Sequence, residues 1–519
     1  MKPSTELFDL IGSLTKSEKR FFKLSSSLQS GDKNYLKIFD AIEKQTEYDE
    51  ERLKQLFAEE TFIRHFPSEK NHLYKLILKS LRLYHSDKSS GSVLKQEIKN
   101  IEILFRKALF KECAKYLARA KKIAVKNEKF YYSIDLINWE RMLLEESYES
   151  GDFSKKVNDL ILEEQGVIEE LTNLAQYQVL YSRINYLFKI GGFVKGDERK
   201  QVEQIAMHPL IKDSSLANSV RAKSICYYVR GFCCESFRDV EGMIKNFGEV
   251  VRILDENKDI KNDVPKRYIR ALTNYIHGFV SMKRYEEAEV QLQKLIDLSK
   301  DSAFSHIDVE ITLFTNRVMS QLLLLNRKGL FSEAVELVDN LAREMEEDRH
   351  QINKENDIIF SYLIAYIYFG NGQYKEALQW INRVLNDNEN TLRQDIYSYA
   401  RIFALLIHLE KESYDLLEYL NKSTYRHFRK NKDDYKVELR LLEFIKKLSK
   451  NQSRTQRLDI YKEMQDKFVD IFETEDDRII LQYIDFKSWV KSKIEGRPFS
   501  EVVQEKGGQL LSIKDENED

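Results

Sequence analysis

Proline and glycine are scarce in this sequence, and their scarcity argues against folds that need many tight turns between strands. The 519 residues include 5 prolines and 18 glycines, well below the roughly one residue in eight that these two types supply in average proteins. No proline occurs between Pro265 and Pro498, so almost half of the chain lacks the strongest helix breaker. The composition therefore favours an all-α fold.

The sequence also has few cysteines, a small net charge and only short apolar runs. The 4 cysteines match neither a disulfide framework nor the spacing of zinc ligands. The formal net charge of −2 excludes attraction of the whole molecule to nucleic acid or membranes by charge alone. The longest apolar run, residues 358–369, is too short for a membrane span, and the first residues lack the apolar core of a signal peptide. We therefore expect a cytoplasmic protein that does not bind membranes.

The sequence lacks the short motifs that usually mark catalytic or cofactor sites. It contains no phosphate-binding Gly-x-x-x-x-Gly-Lys loop, no dinucleotide-binding glycine fingerprint and no His-Glu-x-x-His zinc helix. The 9 histidines are scattered and do not combine with carboxylates or cysteines at metal-ligand spacing. We predict that the protein is not an enzyme and has no catalytic residue, metal ion or other cofactor.

A bulky residue recurs along the chain at intervals of 40 to 47 residues. Seven of these eight anchor residues are aromatic, and core packing is the simplest role for them. Self-similarity with a period of about 44 residues indicates stacked helical repeats. The anchors are Phe110, Phe153, Phe193, Val240, Tyr285, Phe331, Tyr374 and Tyr414.

The residues around each anchor predict a unit of helix A, tight turn and helix B. Glycine often lies two residues before the anchor, where a left-handed helix end favours it. A small residue usually lies three residues after the anchor, where it lets two helices approach closely. Apolar residues seven positions after and nine positions before the anchor supply the facing sides of the two helices. The small residues are Cys113, Gly196, Ala288, Ala334 and Ala377.

In the segment AYIYFGNGQYKEAL, five residues resemble the core signature of a tetratricopeptide repeat; they are Ala365, Tyr368, Gly372, Tyr374 and Ala377. The resemblance implies an all-α solenoid, in which antiparallel helix pairs stack into a right-handed superhelix. The period departs from the family, since a standard repeat has 34 residues. The stretch LTKSEKRFFKL is also similar to the start of uncharacterised tetratricopeptide-like proteins of some bacteria.

Composition and the limits of the repeat predict five segments along the chain. The spacing of Thr15 and Glu18 predicts a capping box, with a helix that starts near Lys16. A polar stretch separates this amino-terminal part from the repeats, and dense apolar residues after the last anchor predict a cap over the array. The segments are an amino-terminal helical module (1–86), a linker (87–92), the repeats (93–430), a carboxy-terminal helical cap (431–506) and an acidic disordered tail (507–519).

Two surfaces are candidates for binding a partner. The resemblance implies that ligands touch the stripe of helix A beside its core stripe, and register places there Arg270, Asn274, His277, Tyr362 and Tyr366. The alternative is that these residues are simply exposed or lie between repeats. The second surface is residues 421–457, with 12 basic and 4 acidic side chains. At its centre, Arg426, His427, Phe428, Arg429 and Lys430 interleave cations with an aromatic ring, as in contacts to phosphates and bases.

The architecture and these surfaces favour a protein interaction scaffold or adaptor, with a peptide or protein partner on the concave face of the repeats. The alternative is a nucleic-acid-associated regulator that uses the amino-terminal module or the basic 421–457 segment. A charged segment is often only the solvated face of a helix, and Val437, Leu441, Ile445 and Leu448 give this one an ordinary buried stripe.

Overall fold

In the computed structural model of the chain, the regular elements of the described residues are all helical, which confirms the predicted all-α class. The chain divides into two compact units, residues 1–167 and 168–519. Across the described residues, no helix is long and apolar enough to cross a membrane. The structure describes residues 4–27, 34–86, 89–146, 153–191, 196–348, 353–387, 392–429, 435–450, 453–474 and 477–515.

The first unit begins with five helices around a shared apolar core. They are α1 (Glu6–Ser13), α2 (Lys16–Ser27), α3 (Asn34–Glu43), α4 (Glu50–Leu56) and α5 (Phe66–Tyr84). The predicted capping box is present: the Thr15 main-chain N–H donates to Glu18 Oε2 at 2.8 Å, and the Glu18 N–H donates to Thr15 Oγ1 at 3.2 Å. His85 Nε2 lies 2.6 Å from Glu18 Oε1 and thus joins the start of α2 to the end of α5.

The predicted linker 87–92 ends inside the next helix. Ser89 caps this helix by accepting a hydrogen bond from the Ser92 N–H at 3.1 Å, so the serines that suggested a flexible linker begin a helical turn. Residues 87–88 lie outside the described residues. The unit continues with α6 (Ser90–Arg106), α7 (Phe110–Lys126) and α8 (Phe130–Glu146), and its boundary with the second unit falls within α9 (Phe153–Gly191).

The second unit contains successive pairs of antiparallel helices. Its elements through the last anchor are α10 (Gly196–Ala206), α11 (Pro209–Lys212), α12 (Val220–Ser236), α13 (Val240–Glu256), α14 (Lys258–Asp263), α15 (Pro265–Ser281), α16 (Tyr285–Asp297), α17 (Ile307–Lys328), α18 (Phe331–Asp348), α19 (Lys354–Gly370), α20 (Tyr374–Leu385), α21 (Gln394–Glu410) and α22 (Tyr414–Arg429). The A helices are α12, α15, α17, α19 and α21. Each is followed by its B helix, respectively α13, α16, α18, α20 and α22.

Seven of the eight anchors are the first residues of helices, namely of α7, α9, α13, α16, α18, α20 and α22. The eighth, Phe193, lies outside the described residues. The residue two places before the anchor has a left-handed backbone in six turns, although only two of these residues are glycines. They are Ala108, Arg238, Lys283, Gly329, Gly372 and Glu412, with φ between 54° and 77°. The turn geometry therefore repeats more strictly than the glycines do.

Small side chains let the paired helices pack closely, as the sequence predicted. Cys113, Ala288, Ala334 and Ala377 are at most 1% exposed. Gly370, at the end of α19, faces the Phe331 ring so closely that an added Cβ would lie 2.4 Å from it. The core of the array therefore depends on the absence of side-chain volume at these contacts.

The chain after the last anchor forms further helices, and its apolar residues pack into one core with the last repeats. Trp489, Phe486 and Ile484 are at most 2% exposed, as expected of a cap. The last helix is assigned through Asp515, so residues 507–515 of the predicted tail belong to it; residues 516–519 lie outside the described residues. These elements are α23 (Lys436–Leu448), α24 (Arg454–Asp466), α25 (Phe468–Ile471), α26 (Ile480–Tyr483), α27 (Phe486–Glu495) and α28 (Phe499–Asp515).

Candidate functional site

Arg270 lies on α15, an A helix of the second unit, and its side chain is exposed. Tyr181 on α9, Tyr228 on α12 and Glu355 on α19 all lie close enough to act electrostatically on the guanidinium. Helices that are distant in sequence thus contribute to the surroundings of one cation.

Asn274 and His277 follow Arg270 on the same helix, and both are half-buried. His277 Nε2 lies 3.5 Å from the Ser320 hydroxyl of α17. Burial lowers the pKa of His277 to about 4, so the ring is neutral at neutral pH. His277 therefore joins two A helices, whereas Arg270 is the exposed residue of the three.

Tyr362 does not form part of an open surface, contrary to the sequence expectation. It is 5% exposed, and its hydroxyl donates to the main-chain carbonyl oxygen of Tyr483 at 3.3 Å. Tyr366 is half-buried, and its ring packs against Phe499 with the ring centroids 6.4 Å apart. The register predicted both tyrosines on an accessible stripe of α19, but the carboxy-terminal chain covers them.

The covering chain, residues 478–507, is here named the C-terminal segment. Arg327 at the end of α17 donates to the carbonyl oxygens of Leu481 at 3.5 Å and of Gln482 at 2.5 Å. Lys283, in the turn after α15, donates to the carbonyl oxygen of Lys506 at 2.9 Å. These contacts are made by side chains of the repeats to main-chain oxygens, which every polypeptide carries. The C-terminal segment therefore covers the predicted tyrosines of α19 and contacts the neighbouring turns.

Further side-chain and ring contacts also hold this segment, and two of them involve the turn before α18 and the first residue of that helix. The Gln504 amide donates to the carbonyl oxygen of Gly329 at 3.0 Å, in the turn before α18. Phe499 stacks on the anchor Phe331, with ring centroids 5.8 Å apart and an angle of 21° between the planes. An anchor of the repeat therefore also serves as a docking surface for the C-terminal segment.

The basic 421–457 segment does not present the aromatic ring that its sequence suggested. Arg426, His427 and Arg429 are exposed, but Phe428 is fully buried and packs against Tyr435 at 4.9 Å between ring centroids. Phe428 points inward because it continues the apolar stripe of α22, so it cannot stack on a base. The predicted buried stripe of α23 is present, with Val437, Leu441, Ile445 and Leu448 all buried. Lys430 lies outside the described residues.

The search for metal-ligand clusters and the state of two cysteine thiols concern the described part of the chain. No group of three or more His, Cys, Asp or Glu residues within it could hold a metal ion. Burial raises the pKa of Cys233 to about 12 and that of Cys234 to about 11. Both thiols therefore stay protonated at neutral pH, and they act as small core residues.

Comparison with known proteins gives little beyond the helical architecture. No protein-family model matches the chain, and no curated protein sequence matches it. Among solved structures, the chain is similar to the apo form of the quorum sensor NprR from B. thuringiensis. The identity is 12%, the match covers 75% of this chain and 99% of that chain, and the TM-score is 0.42. A similarity of this extent says nothing about what this chain binds.

The sequence did not single out the residues that hold the C-terminal segment. Lys283 occupies the turn position that glycine fills in other repeats, and Arg327 appears only as a cation at the end of a helix. Their partners lie 223 and up to 155 residues later in the chain. No local pattern links residues at such distances; the one available signal was that a charged residue replaced the expected glycine at 283.

Proposed function

We propose that the protein is a non-catalytic interaction scaffold that binds a peptide or protein partner on the inner face of its A helices. The scaffold would be a right-handed superhelix with a period of about 44 residues. We further propose that it acts in the cytoplasm and needs no cofactor. The proposed role rests on the binding surface and not on any catalytic geometry.

The observation that carries this proposal is how the repeats hold the C-terminal segment. Arg327 and Lys283 bind main-chain carbonyl oxygens, and Tyr362 does the same with its hydroxyl. The contacted oxygens belong to helical residues of α26 and α28, so these donors are suited to the main chain of a helical partner segment. The part of the inner face around Arg270 and Asn274 lies on an earlier stretch of the array, and it is where we place the partner.

A nucleic-acid-associated regulator remains the second proposal. Arg426 and Arg429 on α22 are exposed and could contact phosphates. The burial of Phe428 removes the stacking contribution that would have favoured single-stranded nucleic acid. The alternative therefore rests on charge alone, and we place it behind the scaffold.

The test is site-specific photocrosslinking of the full chain in native lysate. One variant carries a photoreactive amino acid at Asn274 on the inner face, and a matched variant carries it at Lys245, an exposed position of α13. Both are irradiated with and without nuclease, and Arg270→Glu is added to the Asn274 variant. We expect a discrete protein adduct at position 274, absent at 245, resistant to nuclease and weakened by Arg270→Glu.

Other outcomes have distinct meanings. An adduct that disappears with nuclease would favour the regulator. Equal adducts at positions 274 and 245 would contradict the assignment of the partner to the inner face. An adduct at 274 that Arg270→Glu leaves unchanged would show that Arg270 does not contribute to binding.

A further inference from the structure

A basic cavity of about 340 Å³ lies between the A helices and the C-terminal segment. It is bounded by α15, α17, α19 and the start of α21 on one side and by α26 and α28 on the other. Lys283, Arg327, Arg478 and Lys506 line it, together with the single carboxylate Asp485 and the amide of Asn326. Its volume falls within the range of pockets that hold small organic ligands.

The cations of this cavity exceed its carboxylates. Lys506 Nζ lies 2.8 Å from Asp485 Oδ2, and that pair is neutral. Lys283 and Arg327 donate to main-chain carbonyl oxygens, which carry no formal charge. Arg393, which also lines the cavity, is neutralised by two hydrogen bonds to Asp395 at 2.9 and 2.6 Å. The cavity therefore retains the positive charge of Lys283 and Arg327.

The same excess of positive charge acts on the neighbouring lysines. Burial and the charge of Lys506 lower the pKa of Lys283, and Asp485 only partly opposes them. Burial, Arg478 and Lys506 lower the pKa of Lys487, which lines an adjoining cavity. The two cavities share Arg478 and Lys506, and the carboxylate of Glu473 also lines the adjoining one. An anion placed there would relieve repulsion between cations as well as form hydrogen bonds.

Asn326 and Tyr285 supply polar groups to the wall of the cavity. Asn326 is 5% exposed, and its Oδ1 atom is buried without a hydrogen-bond partner among the described residues. The Tyr285 hydroxyl donates to the Arg327 carbonyl oxygen at 3.0 Å. The cations of the lining therefore define the kind of ligand that the cavity would take.

We propose that this cavity is a binding site for a small organic anion that carries phosphate or carboxylate groups. The anion contacts Lys283 and Arg327 from the repeats and Arg478 and Lys506 from the C-terminal segment. It therefore holds the segment against the A helices. This site is separate from the partner-binding face around Arg270 and does not depend on that assignment.

The experiment measures thermal unfolding and calorimetric binding of the full chain with three probes. These are pyrophosphate, citrate and inorganic phosphate, with sodium chloride at matched ionic strength as the reference. The test variants are Lys283→Met and Arg478→Met, which remove a charge and keep an unbranched side chain. Lys245→Met on the exposed face of α13 is the matched control. Circular dichroism shows whether each variant is folded.

We expect a saturable rise in the unfolding temperature with at least one polyanion, beyond the effect of sodium chloride. Each test variant should weaken that binding about tenfold, whereas Lys245→Met should leave it unchanged. Preference for pyrophosphate would identify a phosphate-bearing ligand, and preference for citrate a carboxylate. The proposal is overturned if no probe stabilises the chain more than sodium chloride does at the same ionic strength. It is also overturned if the folded test variants bind the probes as well as the unsubstituted chain does.

Discussion

The Tyr362 hydroxyl donates a hydrogen bond to the carbonyl oxygen of Tyr483, which lies 121 residues later in the chain. The two rings are also in contact, with centroids 6.1 Å apart and nearly perpendicular planes. Tyr483 further contacts the Asp395 carboxylate at the start of α21. The inner face of α19 is therefore part of the core of the second unit and not a free surface.

Replacing Tyr362 should consequently change stability more than partner binding. We expect Tyr362→Ala to lower the free energy of unfolding by about 3 to 5 kcal/mol, because it removes a buried aromatic ring. Tyr362→Phe should cost about 1 kcal/mol, since it removes only the hydrogen bond to the Tyr483 carbonyl. Urea denaturation monitored by circular dichroism measures both values.

Tyr419 provides the matched control for these variants. It lies on α22 in the same unit and is 67% exposed, so Tyr419→Ala should change stability by no more than about 0.5 kcal/mol. If Tyr362→Ala proved as mild as Tyr419→Ala, the C-terminal segment would not cover α19 as described.

The turn before α7 offers a test of the repeated backbone geometry. Ala108 has a φ of 56°, a left-handed conformation that costs free energy for any residue with a Cβ atom. Ala108→Gly should therefore stabilise the chain by about 0.5 to 1 kcal/mol in urea denaturation. The control Ala120→Gly, within α7 and fully buried, should destabilise it by about 1 kcal/mol. Destabilisation by both variants would contradict the assigned turn.

The helix pairs were predictable from sequence because their determinants are local. A helix that begins at Tyr374 needs an anchor, a small residue three positions later at Ala377 and a turn residue at Gly372, all within six positions. Burial of Ala377 then follows from the i, i+3 geometry of a helix. The same reasoning located the capping box of Thr15 and Glu18. Signals of this kind persist even when individual glycines are replaced, as at Lys283.

The covering of the inner face of α19 was not predictable because it is decided by distant residues. Tyr362 and Tyr366 share a face of α19 by helical register, but only packing of the C-terminal segment determines that this face is buried. Phe428 was misread for a related reason: interleaved charges suggested exposure, whereas its position on the apolar stripe of α22 decides burial. Helical periodicity predicts which side a residue occupies, and tertiary contacts determine what covers that side.

Glu235, at the end of α12, should make stability fall as the pH rises. Burial raises the pKa of Glu235 to about 7, although Arg238 and Arg393 act in the opposite direction, and its Oε2 atom has no hydrogen-bond partner among the described residues. The folded state keeps a proton that the unfolded chain releases, so stability is lost between about pH 4.5 and pH 7. Between pH 5 and pH 8, the free energy of unfolding should therefore fall less in Glu235→Gln than in the unsubstituted chain, by on the order of 2 kcal/mol.

His277 should produce the opposite pH dependence over an overlapping range. Because burial lowers its pKa to about 4, the unfolded chain takes up a proton first as the pH falls. The neutral ring of His277 contributes fully to the stability of the fold above about pH 6.5, and this contribution is lost as the pH falls towards 4. His277→Gln should flatten the acid side of the stability profile, and Glu235→Gln should flatten the side towards neutral pH. Urea denaturation from pH 4 to pH 8 separates the two; unchanged profiles would contradict both assignments.

The exposed cations of α22 decide between the scaffold and the nucleic-acid regulator. Fluorescence anisotropy with labelled single-stranded DNA at several salt concentrations gives the number of phosphates that the protein neutralises. Because Phe428 is buried and cannot stack, we expect weak binding of the DNA. The salt dependence of that binding should be the same in the unsubstituted chain and in a variant that combines Arg426→Ala with Arg429→Ala. If these replacements instead lowered the slope of log affinity against log salt by about 1.4, the value for two lost phosphate contacts on a single strand, the basic segment would be a nucleic-acid interface. The variant keeps Phe428 and the apolar stripe of α22, so a change of slope with unchanged unfolding could not be attributed to loss of the fold.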